Sequence, residues 1–136
     1  MTYLPEADLY SLIHDRGKLS LPIESMNIKT SFLQRFPGVK RYYRYFLPLM
    51  PYAIRQFDLE GYDVILSSSH CVAKSVKKPK NGIHICYCFT PMRYIWDQWE
   101  PYFNPKISGT ITLTVMSLIR PWLRRWDVET SKDVTH

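Results

Sequence analysis

The sequence predicts an α/β fold, on three observations. YDVILSS carries Val64, Ile65 and Leu66 as an unbroken apolar run, and HICYC, residues 84–88, is a second strand-like run. Each crosses a short junction into residues of helical character, SSHCVAKSV after the first and TPMRYIWDQW after the second. An earlier apolar run, Leu9 to Ile13, supplies a third strand ahead of both. Strands alternating with helical segments make a sheet covered by helices.

Taken in order, the Leu9 to Ile13 strand ends at the turn residues Asp15 to Gly17. Ser20 to Gly38 reads as irregular, broken by Pro22, Pro37 and Gly38, with Ile28, Phe32 and Leu33 as packing points. From Val39 to Phe57, Tyr42, Phe46, Leu49, Met50, Ala53, Ile54 and Phe57 recur at helical spacing. Pro48 and Pro51 remove backbone donors, so two helical pieces are expected, joined near Leu47 to Pro51. The Val64 to Leu66 run fits a central strand covered on both faces. SSHCVAKSV is short enough for about one helical turn, and KKPKNG turns the chain through Asn81-Gly82 into the strand HICYC. Pro91 suits the first turn of a helix running to about Glu100, where Pro101 and Pro105 break the pattern. A last helix is expected from Lys106 toward Trp126, with a kink or division at Pro121.

A chain of 136 residues has room for one domain, and 46% apolar with 15% aromatic residues predicts a packed core. The 18 basic residues exceed the 12 acidic ones by six, a balance that favours anionic partners. They cluster at Arg35, Lys40, Arg41 and Arg44, at Lys74, Lys77, Lys78 and Lys80, and at Arg120, Arg124 and Arg125; such clusters are commonly solvated faces. The start, MTYLPEADLY, lacks the basic and apolar runs of a secretory signal, so a cytoplasmic location is expected. Cys71, Cys86 and Cys88 form no paired framework, and two thiolates on one strand face are half of a structural zinc site, so no metal is expected. The uncharged run from Ile107 to Ile119 is shorter than the roughly 20 residues that cross a bilayer. Its flank of Arg120, Trp122, Arg124, Arg125 and Trp126 nevertheless suits a headgroup layer, and the alternative is a core helix with a charged end.

Ligands gather beyond the carboxyl ends of strands in open α/β sheets. The first such end offers Ser67, Ser68, Ser69 and His70, which can hold a phosphate or sugar oxygen or simply cap a helix. A His70–Cys71 dyad is disfavoured because adjacent side chains seldom face each other. Ser69, His70 and Asp63 fail as a triad because Asp63 lies at the opposite end of its strand, on the order of 15 Å away. At the second strand end, Thr90 is placed to cap the helix opened by Pro91. Arg93 stands in the first turn of that helix, where the dipole disfavours a cation. It therefore pairs with Asp97 one turn on, or faces an anionic ligand. No helix-turn-helix, zinc-finger, RNP, dinucleotide or P-loop pattern occurs, so neither nucleic acid nor a local nucleotide site is expected.

Several stretches in combination carry a resemblance: ADLYSLIHD, IKTSFLQRFPGVKRYYRYFLPLMPYAIRQFDLEGYDVILSSSHCVAKSV, HICYCFTPMRYIWD and the late RRWD. Together, over almost the whole chain, they resemble the N-terminal domain of a bacterial glycosyltransferase family 4 enzyme of the mannosyltransferase type. The resemblance implies a partial Rossmann-like, acceptor-side domain of a GT-B enzyme, lacking the first strand and the donor-binding C-terminal domain. Residues 1–136 would then be an incomplete N-terminal domain. In the intact enzyme a hexose such as mannose passes from a nucleotide sugar to a glycan or lipid-linked acceptor, with retention and no metal or other cofactor demanded. Ser69, His70, Phe89, Thr90 and Arg93 are the implied cleft-lining residues. Relatives typically have histidine where this chain has Phe89, and phenylalanine can stack on a ring but handles no proton. The isolated chain is expected to be inactive, at the cytoplasmic face of the membrane or free in the cytoplasm. The competing expectation is a non-catalytic basic module that binds a membrane surface or a protein partner.

Overall fold

Short parallel strand pairs supply the β part of the structure, a computed structural model that describes residues 6–136 apart from the Ile107 side chain. The fold is mixed α/β, and the chain divides into two units, one ending at Phe57 and one spanning Asp58–His136. Residues 1–5, which bear on a targeting signal, lie outside the described residues.

In the first unit β1 (Leu9–Ser11) pairs in parallel with β2 (Ile28–Thr30), Leu9 opposite Ile28 and Ser11 opposite Thr30. The first strand is thus shorter than its apolar run, and β2 arises inside the stretch read as irregular. Between them, around α1 (Leu21–Glu24), the Glu24 carboxylate accepts from Gly17 N at 2.8 Å and Leu19 N at 3.3 Å and lies 3.2 Å from His14 Nε2. A side chain therefore closes the connection, because the turn leaves those backbone donors without main-chain partners. Ser31 donates through Oγ to Leu12 O at 2.7 Å and accepts from Leu33 N, capping a 3₁₀ turn at Phe32–Arg35. Beyond it α2 (Val39–Tyr42) passes through a 3₁₀ segment, Tyr43–Leu49, into α3 (Met50–Arg55). Pro48 sits in that segment and Pro51 in the first turn of α3, so the division falls where the two prolines place it.

The second unit is built on β3 (Val64–Ser69) and β4 (Ile83–Cys88), parallel and in register from Val64↔Ile83 to Ser69↔Cys88. Between them the chain makes a 3₁₀ turn at Ala73–Ser75 and reaches β4 through Gly82, where a Cβ would come within 2.9 Å of Tyr62 O. One expectation is corrected here. Among the described residues β3 has a single strand neighbour and is not a central strand. Its alternate residues Val64 and Leu66, with Ile83, Ile85 and Tyr87 of β4, are exposed. The unbroken apolar run therefore marks one covered face and one open face. On the covered face lie the fully buried Ser69 and His84.

His84 bonds through Nε2 to Ser67 Oγ at 2.8 Å, and its Nδ1 is buried without a partner. Burial, and then the Lys78 charge, hold its pKa below the usual 6.5, against a smaller opposing pull from Asp133. The folded state thus keeps His84 neutral. The stability this contributes is complete above about pH 6.5, the unfolded value, and is lost as pH falls through the lower folded value. Urea midpoints measured across that window should drop on acidification, and the His84→Gln chain should lose that part of the slope.

A second correction concerns the helix read from Pro91 to Glu100. Residues 93–97 form turns, with Ile95 N bonded to Met92 O, Trp96 N to Arg93 O and Gln98 N to Arg93 O, and helix begins only with α4 (Trp99–Tyr102). The cause comes from elsewhere in the chain. Arg120 and Arg124 donate through Nε to Ile95 O, at 3.0 and 2.8 Å, and both reach Trp96 O at 3.4 Å. In a continuous helix those two carbonyls would accept from residues 99 and 100. The guanidiniums also cover indole rings, Arg120 over Trp99 at 4.2 Å and Arg124 over Trp96 at 4.8 Å.

α5 (Pro105–Ser108) is followed by Gly109 at φ 68° and the 21-residue α6 (Thr110–Thr130). The break expected at Pro121 thus lies at Gly109, whose left-handed backbone suits glycine, and Pro121 stays inside one helix. Met116, Leu123, Asp127 and Thr130 are the buried residues of α6, spaced seven, four and three apart as one helix face requires. Beyond it a 3₁₀ turn at Ser131–Asp133 leads to Thr135 and His136, which bond to His84 and Cys86 of β4. No helix among the described residues is long and apolar enough to cross a membrane.

Candidate functional site

At the carboxyl end of β4 the chain turns through Thr90 and Pro91 into the segment held by the two arginines, and the last turns of α6 pack alongside. The result is a cleft of about 440 Å³ lined by Lys74, Thr90, Arg93, Trp96, Asp97 and Asp127, with Pro91, Val128 and Ser131 completing its wall. All of these residues belong to the second unit.

The floor of the cleft is an ion pair withdrawn from water. Lys74 is 6% exposed and Asp127 2%. The ammonium lies 3.1 Å from Asp127 Oδ1 and donates two hydrogen bonds, to Asp127 O at 3.2 Å and Ser131 Oγ at 2.6 Å. Asp127 Oδ2 accepts from Trp96 Nε1 at 2.9 Å, whereas Oδ1 faces the ammonium without a well-directed hydrogen bond. Behind it Ser75 and Thr130 share a hydroxyl contact of 2.6 Å. Buried charges survive when paired and hydrogen-bonded, and these are both.

The rim is different. Thr90 Oγ1 is shielded from solvent and has no partner, because the helix it was expected to cap does not form at Pro91. Arg93 and Asp97 are exposed and make no ion pair with each other, so the salt bridge weighed for Arg93 is absent from the structure. Thr90, Arg93, Asp97 and Trp96 therefore line one cleft, with the Thr90 hydroxyl itself shielded behind the surface. The charges of the cleft balance, Lys74 against Asp127 and Arg93 against Asp97. A lone phosphate or metal cation finds no net attraction there. A neutral ligand with several hydroxyls finds both donors and acceptors.

Of the residues expected to line a cleft, Thr90 and Arg93 do so, whereas Ser69, His70 and Phe89 are not among its lining residues. Ser69 is buried and works inward, its Oγ accepting from Lys74 N at 3.2 Å and its carbonyl from Phe89 N at 2.9 Å. It thereby ties both strand ends to the site without touching it. His70 is exposed, and Phe89, 61% exposed, packs its ring edge-on against Tyr87 with centroids 4.6 Å apart. Cys71 is buried, and burial, followed by the Asp127 charge, pushes its thiol up to about 12, which removes it as a nucleophile at neutral pH. Among the described residues no group of three or more His, Cys, Asp and Glu is placed to hold a metal ion.

Lys74, Trp96 and Asp127 were missed as site residues by sequence reasoning. The lone signal was Asp127 itself, an acidic residue directly after the basic RRW. In comparisons with known proteins no family model matches the chain, and no curated protein or solved structure matches it significantly.

Proposed function

We propose that this chain is the acceptor-side part of a retaining glycosyltransferase of the family 4, GT-B type, and that the cleft holds hydroxyl groups of a glycan or lipid-linked acceptor. In the intact enzyme the donor would be a nucleotide sugar carrying a hexose such as mannose. The observation that carries this reading is the set of polar side chains Thr90, Arg93 and Asp97 that line one cleft with Trp96 at the end of β4. Carbohydrate recognition uses such groups, since sugar hydroxyls bridge donors and acceptors. The CFTPMRYIWD motif that suggests the family supplies most of these residues. Transfer requires both reactants held in register, so the chain alone is expected to bind acceptor hydroxyls without catalysing transfer. Phe89 adds ring surface near the junction and no proton chemistry.

Amide and indole chemical shifts followed during titration with methyl α-mannoside test the reading. Perturbations should concentrate at Thr90, Trp96 and Asp97. Arg93→Ala should weaken the association about tenfold or more, the worth of a charge-assisted hydrogen bond. Shifts scattered over the surface, or an affinity indifferent to both Arg93→Ala and Thr90→Val, would sink the assignment.

A further inference from the structure

His84 is held from two sides. Its backbone fastens Thr135 and His136 along the edge of β4 away from β3: Thr135 N and His136 N donate to His84 O at 2.9 and 3.3 Å, and His84 N donates to Thr135 Oγ1 at 3.1 Å. Cys86 N adds a fourth bond, to His136 O at 2.8 Å. The side chain lies fully buried on the covered face, with Ser67 Oγ of β3 2.8 Å from Nε2 and Nδ1 shielded without a partner. Whichever tautomer the neutral ring adopts, the imidazolium carries an N–H on Nδ1, where the closed fold offers no acceptor.

We infer that Thr135 and His136 form a proton-released latch, which lifts from the β4 edge when His84 takes up its second ring proton and so admits water to Nδ1. The β4 backbone explains why the latch yields first. Ile83 N and Phe89 N donate toward β3, to Asp63 O and Ser69 O at 2.9 Å, whereas Cys86 N donates to the latch. The β3 side is a ladder of six residue pairs in register, and the latch holds by four hydrogen bonds from two exposed residues. The element with the fewest bonds opens at the lowest free energy. Charges around the ring set the direction. Burial and Lys78, from the connection between the strands, oppose the proton, and Asp133, from the turn that leads into the latch, offsets them only in part. β3 contributes the neutral Ser67, and the next side chain of β4 on that face is the Cys86 thiol. The latch itself carries a second imidazole, that of His136. The opening reaches toward the cleft, because the turn ahead of the latch begins at Ser131, an acceptor of the Lys74 ammonium. This inference does not depend on what the cleft binds.

Native-state hydrogen exchange of the 136-residue chain, followed from about pH 7.5 to about pH 5.5 and corrected for the intrinsic rate, provides the test. A lifted latch leaves His84 in water with its ordinary value near 6.5, so the open fraction grows as pH falls below that value, by up to about tenfold per unit. Protection of the Cys86 amide should fall accordingly, while that of the Ile83 and Phe89 amides changes much less. His136→Gln should keep this dependence and His84→Gln should lose it. Thr135→Val, at an exposed position that removes the acceptor of His84 N, should lower Cys86 protection about threefold or more at every pH, and it serves where His84→Gln fails to fold. Unchanged Cys86 protection on acidification, an equal loss at Ile83, Cys86 and Phe89, a dependence that survives in a folded His84→Gln or vanishes in His136→Gln, or a Thr135→Val chain with parental Cys86 protection, each overturns it.

Discussion

Asp127→Ala should destabilise the second unit by about 3–5 kcal/mol, the cost of leaving one member of a buried ion pair without its counter-ion. Lys74 is held below the surface by residues on both sides of it in sequence. Ser69 fixes its backbone through Lys74 N, and Ser131 Oγ and the Asp127 carbonyl fix its ammonium. Truncating Asp127 also strips Trp96 Nε1 of its acceptor and so adds a second unpaired group. A loss this large is comparable to the whole stability of a small domain. The variant is therefore expected to be largely unfolded at room temperature, as a collapsed near-UV circular dichroism spectrum and a vanishing urea transition would show. The companion experiment replaces both partners. Lys74→Met with Asp127→Leu removes the charge and its counter-charge together and should recover most of the loss, since well-packed apolar residues commonly match a buried pair. A drop below about 1 kcal/mol in the single variant would mean that water reaches the pair, contrary to the geometry.

That pair also marks where the sequence stops being readable. β3 and β4 were legible because a sheet writes itself locally, in apolar runs bounded by turn residues such as Asn81-Gly82. β2 was not, because Ile28, Lys29 and Thr30 gain strand character only from parallel bonds to β1, with a connection between them that carries no strand pattern. The segment after Pro91 looks helical by its opening proline and its run of residues of helical character. Its carbonyls go instead to Arg120 and Arg124, 25 and 29 residues away from Ile95. At the site the same division holds. Thr90 and Arg93 stand at a strand end, which is where ligand sites are sought, and they do line the cleft. Lys74 read as one member of a solvated basic cluster because its partner lies 53 residues on. Local reading thus reached Thr90 and Arg93 at the strand end, and not Lys74 and Asp127, whose pairing is made across the chain.

Ile95→Ala should cost about 2–5 kcal/mol, and the way it does so separates packing from hydrogen bonding at the cleft. The side chain of Ile95 is fully buried, while its carbonyl is the acceptor for both Arg120 and Arg124. Truncation to alanine leaves that carbonyl in place. The loss therefore measures the cavity and the transfer of the removed methylenes, with the arginine bonds nominally intact. Ile95→Val, one methylene smaller, should cost about 0.5–1.5 kcal/mol. If the cavity relaxes by letting residues 93–97 settle, the arginine bonds lengthen and the cleft changes with them. Methyl α-mannoside shifts at Thr90 and Trp96 should then weaken in Ile95→Ala and persist in Ile95→Val. If the turn stays fixed, stability falls and the shifts persist in both. A cost near zero for Ile95→Ala would contradict the close packing implied by its full burial, leaving hydrogen bonds such as those of Arg120, Arg124 and Trp96 to hold that wall.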